Sequence, residues 1–132
     1  MIKNDITTGE DIENLVNSFY SRARADETIG PVFNTIIGDN WSHHLPVMYQ
    51  FWEMIAFGKQ DYSGSPIGKH IAVDRKMPLT EAHYQRWLEL WRRTVDDLFE
   101  GEKAEEVKKR AMLMIQLIEL KVNTARGGKS LF

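Results

Sequence analysis

Apolar residues recur at helical spacing almost throughout this 132-residue chain, and nowhere do four or more positions alternate apolar with polar. Strict alternation marks a half-buried strand, whereas an i, i+3, i+4, i+7 stripe marks one face of a helix, so the sequence specifies an all-α fold. In the first segment Ile12, Leu15, Val16, Phe19, Tyr20 and Ala23 share one face. Thr8 is placed to cap that helix, with Glu10 and Asp11 at its positive end. Gly30-Pro31 breaks the run, a short piece over 33–37 follows, and Gly38-Asp39-Asn40 turns the chain. A second stripe carries Trp41, Leu45, Met48, Trp52 and Ile55. Pro46 lies inside it and removes a helical hydrogen bond, so the regular helix is expected to begin close to His44. The stretch 58–78 holds Gly58, Gly64, Pro66 and Gly68 and reads as a loop with one helical turn before His70. Thr80 then caps a helix with the stripe Tyr84, Trp87, Leu88, Trp91, Val95 and Leu98, which Gly101 is expected to end. The last helix carries Ala104, Val107, Ala111, Met114, Ile115, Ile118, Val122 and Ala125 and stops at Gly127-Gly128. Four main helices around an irregular middle loop are expected.

A chain of this length makes one domain, here 1–132, with 1–8 and 127–132 as flexible termini. It contains no cysteine, which excludes disulfides, cysteine zinc sites, thiolate nucleophiles and cysteine-held iron–sulfur clusters. A formal charge of −2 supplies no drive toward nucleic acid or an anionic membrane. The start MIKNDITTGEDIENL lacks the basic and apolar regions of a signal peptide, and no apolar window is long enough to span a bilayer. A cytoplasmic location is expected, with no membrane and no nucleic-acid partner.

Candidate chemistry centres on His43, His44, His70 and His83. No Glu-x-x-His pattern of a carboxylate-bridged di-metal bundle occurs. The neighbours His43 and His44 point to different faces of a regular helix, so they do not share one metal. His70 follows Gly64-Ser65-Pro66-Ile67-Gly68, and a long loop in a helical protein is itself a functional hint. His83 stands three residues after Thr80 and reads as a local, structural side chain. The tail Gly127-Gly128-Lys129-Ser130 is not a phosphate loop, because Asn123 replaces the first glycine and the segment follows a helix rather than a strand. Four Trp, four Tyr and six Phe are most simply core. Tyr20 and Trp87, however, put polar tips on inward stripes, which suits a cavity holding a polar ligand better than a wholly apolar bundle.

These residues resemble a known family. The runs Phe19-Tyr20-Ser21-Arg22-x-Arg24-x-Asp26 and Ile29-Gly30-Pro31-Val32-Phe33 are similar to the start of the group III truncated haemoglobins. The match continues through Trp41-x-x-His44, Phe51-Trp52, Gly58-x-x-x-Tyr62-x-Gly64-x-Pro66 and His70. It closes with His83-Tyr84-x-Arg86-Trp87-Leu88-x-Leu90-Trp91 and Thr94-Val95-Asp96-x-Leu98-Phe99-x-Gly101. Residues 10 to 115 are covered in order.

The resemblance implies a two-over-two helical sandwich enclosing haem b and its iron. It puts the proximal ligand on His70, the distal hydrogen-bonding pair on Tyr20 and Trp87, and the distal-helix histidine on His44. Phe33 would pack on the haem face, Met48 would line the pocket, and Phe51, Trp52 and Tyr62 would flank the cofactor. In the charged stretch Asp74-Arg75-Lys76, Arg75 or Lys76 would pair with a haem propionate. Neutral imidazole is a normal fifth ligand for haem iron and leaves a sixth position for a gas. The implied function is reversible binding of O₂, with CO and NO as related ligands, in a monomer. The alternative is a redox enzyme on the same haem, a nitric oxide dioxygenase or a peroxidase-like detoxifier supplied by a separate reductase.

Overall fold

The computed structural model describes residues 2–60 and 62–127. Six helices follow one another: α1 (Gly9–Ala25), α2 (Gly30–Ile36), α3 (Trp41–Phe57), α4 (Pro66–Lys76), α5 (Glu81–Leu98) and α6 (Glu102–Arg126). No strand occurs among the described residues. Helices α1 and α3 pack together, as do α5 and α6, and the pairs join where α1 lies on α5 and α3 on α6. The short α2 leans on α1, and α4 leans on α6.

The apolar stripes account for this packing. All six α1 residues of the first stripe are buried. They meet Leu88, Trp91 and Val95 of α5, and Val107, Ile115, Ile118 and Val122 of α6, in one core. Thr8 closes a reciprocal capping box with Asp11 at the head of α1. Thr80 does the same with His83 at the head of α5. Each box satisfies helix-end donors that water would otherwise have to meet.

Four local expectations are corrected. Helix α3 begins at Trp41, not near His44, because the Asn40 carbonyl accepts from both His43 and His44 N–H (3.2 and 3.0 Å). The first turn is therefore closed before Pro46 is reached. The hydrogen bond lost at Pro46 frees a carbonyl at Ser42, and both residues are exposed to water. The middle stretch is not a loop up to His70: α4 spans 11 residues with His70 at its centre. Ser65 caps it, its Oγ accepting from Gly68 N–H at 3.1 Å, and Pro66 occupies the first turn, where its missing N–H is harmless. The short piece after the first break is α2, beginning at Gly30 rather than Phe33. Helix α5 ends at Leu98, and Gly101 instead opens α6 with φ +146°, a conformation glycine adopts freely.

The N-terminal segment, expected to be loose, is tied to the body. The Asp5 carboxylate accepts from Lys103 and Ala104 N–H, both at 2.9 Å, and so caps α6 from the far end of the chain. Asn4 O accepts from Glu100 N–H, and Ile6 is buried beside them. A side chain at Gly101 would collide with Asp5. The tail beyond Gly127, with the Gly128-Lys129-Ser130 residues weighed above, lies outside the described residues.

Burial alone would raise the pKa of Asp5, but the N–H groups of Lys103, Ala104 and Ile6 outweigh it and hold the carboxyl below the usual range. Its stabilising effect is therefore present at neutral pH and is lost as pH falls through the depressed value. Asp5→Ala should cost about 0.5–2 kcal/mol, the usual effect of deleting a helix cap. Urea unfolding at pH 7 and in acid checks this: the variant should be less stable at pH 7, and the gap should shrink in acid. An unchanged midpoint at pH 7 would show that Asp5 caps nothing.

Candidate functional site

A cavity of about 540 Å³ opens between the helices. Its size is that of a small-molecule or cofactor site. Of the ten residues singled out from the sequence, nine line it together: Tyr20, Phe33, His44, Met48, Phe51, Trp52, Tyr62, His70 and Trp87. Arg75 does not. On α4 the residues Pro66, Lys69, His70, Val73 and Lys76 follow helical spacing along the cavity-facing side, while Arg75 falls on the exposed face. Of the two alternatives for an anion partner, the structure places Lys76 at the cavity.

His70 is oriented by its own helix. Its Nδ1 lies 2.6 Å from the Pro66 carbonyl. A carbonyl only accepts, so Nδ1 carries the hydrogen and donates, which leaves the lone pair on Nε2. Burial lowers the pKa of the ring, against the smaller opposing effect of the Pro66 bond, and favours neutral imidazole. A neutral ring with one nitrogen anchored and the other free is the form that binds a metal.

A second polar group forms around Tyr20. Its Oη lies 3.4 Å from His44 Nε2, so the distal-helix histidine points into the cavity. Burial pushes the Tyr20 phenol well above its ordinary range and keeps it a hydrogen-bond donor. Burial also lowers the His44 pKa, helped by the nearby charges of Lys69 and His43. Trp41 packs edge-on against both rings, with the Arg24 guanidinium 4.5 Å over its face.

Trp87 is held by stacking. It lies parallel to Trp91 at 5.6 Å, and Trp91 in turn stacks on Trp52 at 4.2 Å. Trp91 Nε1–H is spent on the Val107 carbonyl at 3.2 Å. Trp87 lines the cavity, and its indole N–H has no hydrogen-bond partner among the described residues. Tyr84, also on the wall, has a buried hydroxyl without a partner among the described residues, and burial pushes its pKa up to about 12 with help from Asp74 and Glu119.

Further wall residues that the sequence did not assign to the site include Lys69, His43 and His83. Lys69 was legible once α4 is a helix, because it stands one turn before Val73. The charge pattern is one-sided. The lining includes Lys69 and Lys76 and, among the described residues, no Asp or Glu. Yet acids outnumber bases in the chain, 19 to 17. A mostly apolar slot with cations on its wall suits a flat apolar ligand that carries acidic groups.

Comparisons with known proteins identify the family. The bacterial-like globin family matches residues 4–123. A group 3 truncated hemoglobin of Campylobacter jejuni is 29% identical over 108 residues, covering 80% of this chain and 83% of the relative. The crystal structure of a group III truncated hemoglobin from Campylobacter jejuni superposes with a TM-score of 0.83 at 26% identity, over 92% of this chain and 95% of that one. Haem is the group such a family implies, and the cavity fits it. Among the described residues no three His, Cys, Asp or Glu gather to hold a bare metal ion. A lone imidazole suits a metal that brings its own equatorial ligands, an apolar slot suits a porphyrin, and wall lysines suit its carboxylates. The chain belongs to the bacterial-like globin family and is similar, in sequence and in fold, to group III truncated haemoglobins.

Proposed function

We propose that this protein holds haem b through His70 and binds O₂ reversibly, together with CO and NO. The observation that carries the reading is the hydrogen bond from His70 Nδ1 to the Pro66 carbonyl, which leaves Nε2 as an oriented base on a mostly apolar cavity wall. When bound, haem supplies an iron with one coordination position open to a diatomic gas. The chain's own residues do the rest. Phe33, Met48, Phe51 and Trp52 exclude water from the slot. Lys69 and Lys76 offer charge to the carboxylates. Tyr20 and Trp87 offer hydrogen-bond donors to the gas, and His44, within reach of the Tyr20 hydroxyl, orients that donor. O₂ takes on partial negative charge when held and is favoured by these donors, while CO gains less.

Titrating the haem-free protein with haemin tests this reading. The wild type should take up one equivalent and keep it through gel filtration, with a Soret band that shifts on reduction and CO addition. His70→Ala should lose stable uptake, and added imidazole should restore much of the wild-type spectrum. An unchanged spectrum in His70→Ala without imidazole would contradict the assignment.

The two donors make a second prediction. A hydrogen bond to a charged acceptor is worth about 1.5–3 kcal/mol, so Tyr20→Phe and Trp87→Phe should each speed O₂ release by about one to two orders of magnitude. CO release should change much less. If both donors serve one ligand, the double variant should depart from additivity. Stopped-flow release of the two gases checks this. Equal factors for O₂ and CO in Tyr20→Phe would mean altered access rather than a lost donor.

A further inference from the structure

His83 carries two hydrogen-bonding duties at once. In the capping box its Nδ1 accepts the Thr80 N–H at 2.9 Å. A backbone N–H only donates, so Nδ1 is unprotonated and a neutral His83 carries its hydrogen on Nε2. This is the reverse of His70, whose Nδ1 donates and whose Nε2 is bare. The free nitrogen of His70 is a base. The free nitrogen of His83 is a donor, so His83 is unsuited to ligate a metal and suited to meet an acceptor.

His83 lines the cavity proposed for haem, as does Lys76. Lys76 is the last residue of α4, and His83 sits in the first turn of α5, with only 77–80 between the helices. The short connection keeps the two residues at the same end of the cavity, with no carboxylate among the described lining residues. We propose that His83, with Lys76 across the 77–80 connection, reads a carboxylate of the bound haem and so sets which end of the cofactor lies toward the α4–α5 connection. The capping box supplies the means: holding Nδ1 fixes both the tautomer and the ring, so the donor needs no reordering when the carboxylate arrives. The inference rests on the haem reading proposed above and assigns His83 as a positioning residue within it.

The cap offers a clean test, since Glu at this position completes the ordinary Thr-x-x-Glu capping box. His83→Glu should therefore keep the helix start while replacing the donor by an anion. The wild type and the variant are loaded with haem and with haem dimethyl ester, and transfer of each to an excess of a scavenging apoglobin is timed. The haem-free forms should melt together. The variant should release haem roughly tenfold faster or more, on the scale of one charge-assisted hydrogen bond, and release the diester at the wild-type rate. His83→Gln, which keeps both a cap acceptor and an N–H, should release haem like the wild type.

A measurement on the unaltered chain stands beside these variants. The His83 Nε2 signal in side-chain nitrogen NMR should move on loading zinc protoporphyrin IX and stay in place with its dimethyl ester. Equal acceleration of haem and diester in His83→Glu, or a His83 signal that answers both porphyrins alike, would reduce His83 to a cap and overturn the proposal. A wild type that takes up neither porphyrin would overturn the haem reading itself, and this inference with it.

Discussion

The hydrogen bond from His70 to the carbonyl of Pro66, one turn earlier in α4, decides what the cavity can bind. Without it the imidazole would rotate and exchange its proton between nitrogens. With it, one nitrogen is a fixed donor and the other a fixed base. The bond exists only because α4 exists, and α4 exists because Ser65 caps it and Pro66 fits its first turn. The helix buries no residue completely and is held from outside, where Arg126 of α6 donates through Nε to Asp74 at 3.2 Å and also to the Leu79 carbonyl at 2.8 Å. The orientation of His70 thus depends on a helix that the rest of the fold clamps in place.

The same logic separates three of the four histidines, which composition alone treats as equals. His70 donates through Nδ1 and offers a base. His83 accepts through Nδ1 and offers a donor. His44 shares its Nε2 with the Tyr20 phenol. Backbone partners set two of these three roles, and a side-chain partner sets the third. Electrostatics then sorts the ligand: Lys69 and Lys76 are on the wall, while the carboxylates near this part of the fold are spent elsewhere, Asp74 on Arg126 and Asp26 on Arg86.

Much of this was legible from residue spacing. The α1 stripe from Ile12 to Ala23 was read without error, because a six-member helical pattern leaves no other face to bury. The caps at Thr8 and Thr80 were legible for the same local reason. Nine of the ten candidate residues line one cavity, although that grouping came from a family resemblance rather than from periodicity. Helix α4 was missed because Gly64, Pro66 and Gly68 look like breakers. Ser65-Pro66 is equally a helix start, and only packing on α6 decides between the two. With the helix went its phase, so Arg75 and Lys76 could not be told apart. The Asp5 cap on α6 spans nearly the whole chain and leaves no local signal.

Side-chain nitrogen NMR of the histidines in the haem-free protein at neutral pH tests the central claim most directly, because it reads which ring nitrogen carries the proton. The account predicts a neutral His70 with its hydrogen on Nδ1 and a bare Nε2. A His70 that is protonated on Nε2, or that exchanges between the two tautomers, would contradict it.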